Sequence, residues 1–61
     1  MLLLSEILIQ EFDLATFDQL LEKVRERAHD GEMFFRIDVK PQFSDTPEDW
    51  EERLEAAFYS R

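Results

Sequence analysis

Cysteine is absent from this sequence, histidine and glycine occur once each, and proline occurs twice. Without cysteine the chain has no disulfide, no thiolate nucleophile and no sulfur ligand for a metal. One imidazole, His29, does not assemble a Ser-His-Asp set with conviction, so neither an enzyme nor a metal or cofactor site is expected. A chain of 61 residues is one small domain with a thin core. Domains of that size usually add a disulfide, a metal or a partner chain, and only the partner chain is left open here.

Two further features are missing. The apolar start Met1-Leu2-Leu3-Leu4 has no basic residues before it and is interrupted by Ser5-Glu6, which does not suit a secretory leader. Nothing approaches the roughly 20 apolar residues of a membrane span. The expectation is a soluble, cytoplasmic protein. Positive charge is also scarce: 15 acids face 7 bases, for a formal charge of −8. Such a surface repels phosphate backbones and anionic lipid, so direct nucleic-acid and membrane binding are not expected, and a basic protein surface becomes the favoured partner.

What is present is apolar and patterned. Hydrophobic residues make up 44% of the chain and include six Phe, which is too rich for a disordered segment. From Leu14 to Ala28, Phe17, Leu20, Leu21, Val24 and Ala28 recur at helical spacing, with Asp18, Gln19, Glu22, Lys23 and Glu26 opposite. Either Asp13 or Thr16 can cap this helix, the latter as a capping box with Gln19. Arg25, Arg27 and His29 suit the negative end of the helix dipole, which also accounts for His29, and Gly31 stands where a left-handed residue ends a helix.

Between Met33 and Lys40 the period changes to two, with Met33, Phe35, Ile37 and Val39 on one face and Phe34, Arg36, Asp38 and Lys40 on the other. This predicts a half-buried strand ended by Pro41. Phe34, Arg36 and Lys40 have the aromatic and basic character of a single-strand nucleic-acid platform, but Asp38 and the acidity of the chain weigh against that use. Farther on, Thr46 as N-cap and Pro47 at the first helical position predict a second helix from about Pro47, with Trp50, Leu54, Ala57 and Phe58 buried. Asp45, Pro47 and Asp49 imitate the spacing of a calcium loop, but proline and Trp50 stand at positions that such a loop cannot spare.

Residues 2–12 are ambiguous, and the run Ile7-Leu8-Ile9 before Asp13 favours a strand over a helix. The preferred fold class is therefore a single small α+β domain over residues 1–61, in the order β-α-β-α, with parallel strands and both helices on one face. Two strands are too few for a stable sheet, and pairing across a two-fold axis would complete it and cover Phe34, which predicts a homodimer.

The acidic second helix is the candidate site. Glu48, Glu52, Glu55 and Tyr59 fall at i, i+4, i+7 and i+11, with Glu51 at the edge of the row. The row from Glu48 to Glu55 is roughly 11 Å long at 1.5 Å per residue. Helix dipoles account for Glu48 and Asp49 but not for Glu52 and Glu55, whose like charges are mildly unfavourable. Asp18, Glu22 and Glu26 on the first helix extend the candidate surface. The function expected is a small acidic binding protein (inhibitor, adaptor or antitoxin-like regulator, with a nucleic-acid mimic as its sharpest form) engaging a basic partner. The alternative is a structural subunit that docks into a larger assembly through its apolar N-terminal segment, with the carboxylates solvating it.

Overall fold

Leu2 and Phe35 stand side by side at the centre of a two-stranded parallel sheet, and three helices are arranged around them. The structure, a computed structural model, describes residues 1–60. Its order is β1 (Leu2–Leu3), α1 (Leu4–Gln10), α2 (Phe17–His29), β2 (Phe35–Arg36) and α3 (Trp50–Tyr59). This is a small α+β domain, with one more helix than the sequence suggests.

α2 matches its local signals. Thr16 is the N-cap and its hydroxyl accepts from the Gln19 N–H at 3.2 Å, while Gln19 Oε1 accepts from the Ala15 N–H at 2.7 Å. Phe17, Leu20, Val24 and Ala28 are buried, and Leu21 is half-buried beside them. Gly31 follows the C-cap residue Asp30 with φ of +108°, and a Cβ there would meet no atom within 4 Å. The left-handed backbone, not crowding, is what calls for glycine.

The strand expected over residues 2–12 is corrected: two residues pair, and Leu4 turns into a helix. Leu4 and Ile7 enter the core from one side of α1, with Leu8 packed against it, whereas Glu6, Ile9 and Gln10 point outward. Its N-cap position is Leu3, which offers no side-chain acceptor. Asp38 supplies one from 33 residues away. Its Oδ1 accepts from the Ser5 N–H at 3.0 Å and its Oδ2 from the Ser5 hydroxyl at 2.6 Å. At the other end of α1, Glu11 would oppose the helix dipole, and Lys23 (3.2 Å) and Arg27 (3.8 Å) of α2 offset it.

The predicted strand over Met33–Lys40 shortens to Phe35–Arg36 because β1 offers only two partners. The alternation survives on either side: Phe35 and Ile37 are half-buried, while Phe34, Arg36 and Asp38 are exposed. Met33 and Val39, expected to share the buried face, lie beyond the sheet and are exposed.

The third helix also begins later than expected, at Trp50 instead of Pro47. Thr46 is already engaged in a turn, where its hydroxyl accepts from the Phe43 N–H at 3.0 Å and its own N–H donates to the Phe43 carbonyl at 3.1 Å. It is therefore not an N-cap. Trp50, at the first turn of α3, is half-buried against the core, and Leu54, Ala57 and Phe58 are buried. α3 packs along α2, and the Phe58 ring stacks on Phe35 with centroids 5.1 Å apart, which joins helix to sheet.

The carboxyl of Asp38 lies below the usual aspartate range, chiefly because of the Ser5 hydroxyl and then the Ser5 N–H, with a smaller pull from Arg36. A depressed folded-state value stabilises the fold above the unfolded value of about 3.9 and is lost as pH falls through the folded value. Asp38→Asn is therefore expected to lower the urea midpoint at neutral pH. The gap from the parent protein should narrow as pH falls below about 3.9. Urea unfolding followed by circular dichroism at neutral and acid pH checks this.

Candidate functional site

α3 presents its side chains in three directions. Leu54, Ala57 and Phe58 face the core, Arg53 turns to Asp49, and Glu51, Glu55 and Tyr59 form a flank that looks across at β2. That flank and the residues Phe35, Arg36 and Ile37 enclose a shallow groove. Its positions i, i+4 and i+8 follow one another up the helix, which is why the helix aligns them. Tyr59 is held by an edge-on contact with Phe58 at 4.9 Å and is 59% exposed, so its phenol remains available at the upper end of the groove.

The other predicted site residues lie nearby or elsewhere. Glu52 is exposed on the outward side of α3, next to the groove wall. Glu48 is exposed in the turn ahead of α3, not in the helix as expected. Asp18, Glu22 and Glu26 are exposed on α2.

Ion pairing separates the two helices. On α2, Arg25 meets Glu22 at 2.8 Å, and Lys23 meets Glu26 at 3.5 Å while also holding Glu11. The Glu11 carboxylate, then Glu26, raises the Lys23 ammonium above its ordinary value. On α3 the cation Arg53 bonds Asp49 at 2.8 Å and holds that carboxyl below the usual range. No cation among the described residues pairs with Glu48, Glu51, Glu52 or Glu55. The mutual repulsion of these carboxylates, roughly 0.2 to 0.5 kcal/mol per helical pair, is left in place.

Two aspartates that sequence reasoning treated as surface are instead structural. Besides Asp38, Asp45 accepts from the Phe17 N–H at 2.7 Å and so adds a second acceptor at the start of α2. Among the described residues no group of three or more His, Cys, Asp or Glu is arranged to hold a metal ion, and no helix is long and apolar enough to cross a membrane. The groove itself was out of reach of the sequence, because it takes the packing of Phe58 on Phe35, far apart in the chain, to bring α3 beside β2.

No known protein family, curated protein or solved structure matches the chain.

Proposed function

We propose that this is a small acidic binding protein whose α3 flank engages a basic protein surface, as an inhibitor, adaptor or antitoxin-like regulator. In its sharpest form it mimics nucleic acid in a basic groove. The observation that carries the reading is the cluster of exposed carboxylates Glu48, Glu51, Glu52 and Glu55 with no cation partner among the described residues, whereas Glu11, Glu22, Glu26 and Asp49 are paired. Tyr59 beside them supplies the aromatic contact favoured at interfaces. Asp18, Glu22 and Glu26 belong to the same proposed surface, but with Glu22 and Glu26 ion-paired they contribute less charge to it.

The alternative, docking through the apolar N-terminus, has less support. Leu2, Leu4 and Ile7 lie within the chain's own core, and the large apolar side chains that the segment exposes are Met1, Ile9 and Phe12. A homodimer remains part of the proposal, now by a different route. Leu2 and Phe35 face the helices, so alternation puts Leu3 and Arg36 on the outer face of the sheet, where Phe34 is 65% and Met1 71% exposed. Among the described residues no layer covers that face, and a second copy of the chain would bury it.

Two measurements test the reading. In a pull-down from lysate at low and high salt, retention of a partner should fall with ionic strength and with Glu48, Glu52 and Glu55 changed together to Gln. Retention unaffected by the triple change defeats the acidic-surface reading. In light scattering at micromolar concentration the parent should have the mass of a dimer and Phe34→Glu that of a monomer. A folded parent monomer removes the dimer.

A further inference from the structure

The groove beside α3 runs along a strand edge that has no partner among the described residues. In the parallel ladder Leu2 pairs with Phe35 and Leu3 with Arg36, and the Leu2 N–H donates to the Phe34 carbonyl at 2.8 Å. This register directs the Phe34 carbonyl and the Arg36 N–H toward β1, which leaves the N–H and C=O of Phe35 on the opposite edge. No hydrogen bond to either group is made among the described residues. Phe35, Arg36 and Ile37 form one side of the groove, with Glu51, Glu55 and Tyr59 on the other. Alternation assigns the Arg36 side chain to the outer face, where its charge acts on Asp38.

We infer that this edge accepts an extended basic segment of the partner, added as a third strand next to β2 with basic residues at alternate positions. The inference rests on the acidic-surface reading above and specifies its partner. Backbone hydrogen bonds to Phe35 give the added strand its direction, as in other cases of strand addition. Glu51 and Glu55 lie about 6 Å apart along the helix, and alternate side chains of a strand are about 6.8 Å apart. A Lys or Arg at position i and another at i+2 therefore meet the two carboxylates in turn. The next alternate side chain reaches Tyr59, where an apolar or planar group fits.

A second copy of this chain fits the same edge less well. Antiparallel pairing of β2 with itself about Phe35 keeps both α3 helices on one side of the joint sheet, so each Glu51–Glu55 row would face its twin. Like charge along an open edge opposes self-pairing and leaves the edge to a strand of opposite charge.

The probe is a fluorescent eight-residue peptide alternating lysine and valine, measured by anisotropy against the intact protein at low salt. Three comparisons accompany it: the same composition with the lysines in one block, and two alternating peptides N-methylated either on every lysine or on every valine. All lysine amides of a strand point to one edge and all valine amides to the other, so strand addition requires that one methylated peptide lose binding and the other keep it. The blocked peptide should bind at least about tenfold more weakly, and Glu51→Gln with Glu55→Gln should weaken the alternating peptide by a similar factor. Glu6→Gln with Asp30→Asn, exposed and outside both the groove and the acidic surface, should change it little. If both methylated peptides bind like the parent, or the blocked peptide binds equally well, strand addition is overturned while an acidic binding surface survives. No binding of the alternating peptide also overturns it.

Discussion

The carboxylates of Asp38 and Asp45 close the open ends of helices that lie far earlier in the chain, and the arrangement of the domain follows from those two contacts. The first N–H groups of a helix have no partner within it. α1 has Leu3 where a capping residue belongs, and Asp38 bonds both the N–H and the hydroxyl of Ser5 across 33 positions of sequence. Asp45 reaches the Phe17 N–H of α2 across 28. The loop after β2 is thereby fastened to both preceding helices, and α3, which starts shortly after it, is brought down along α2 with Phe58 over Phe35. A core of ten buried apolar residues, with Leu2, Leu4 and Ile7 from the first segment and Leu54, Ala57 and Phe58 from the last, then closes between ends that polar contacts have positioned.

Ten of the 15 acidic residues fall into two groups. Asp38, Asp45 and Asp49 bond a backbone N–H or a nearby arginine, and Glu11, Glu22 and Glu26 meet the cations of α2. Among the described residues Glu48, Glu51, Glu52 and Glu55 do neither, and they gather on and just ahead of one helix. Glu51 and Glu52 stand in the first turn of α3, where the helix dipole favours a carboxylate, whereas Glu55 lies beyond that turn and gains nothing from it. The proposed function is built on this second group, and the open edge of β2 beside it gives the proposed surface a backbone component as well as a charge.

How much of this was legible depended on how far each signal lies from its effect. α2 was readable because its cap, its buried stripe and its terminal glycine are local: Thr16, Gln19, the row from Phe17 to Ala28, and Gly31. α1 was read as a strand because its capping acceptor is Asp38, which local pattern assigned only to the polar face of a later strand. The start of α3 was misplaced for a related reason: Thr46 carries the right chemistry for an N-cap, but its hydroxyl closes the turn onto Phe43. Period-two burial around Phe35 and Ile37 was legible, whereas the length of β2 was not, since a ladder ends with its shorter partner. Of the candidate site, helical spacing put Glu55 and Tyr59 in one row but ranked Glu48 and Glu52 with them and left Glu51 at the edge; that Glu51 joins Glu55 and Tyr59 along a groove required knowing that β2 lies beside α3.

The division of carboxylates is tested most directly by neutralising them one at a time and recording thermal stability. Asp45→Asn should cost on the order of 1 kcal/mol, which for a domain of this size lowers Tm by about 4 to 8 °C, and Asp38→Asn should also lower it at neutral pH. Glu55→Gln should leave Tm unchanged or raise it slightly, as repulsion along α3 is relieved, while Glu51→Gln and Glu52→Gln lose the dipole attraction of the first turn and should lower Tm less than Asp45→Asn does. A clear fall in Tm on neutralising Glu55, or a fall on neutralising Glu51 or Glu52 as large as that of Asp45→Asn, would contradict the account, because that carboxylate would then be part of the fold and not available to a partner.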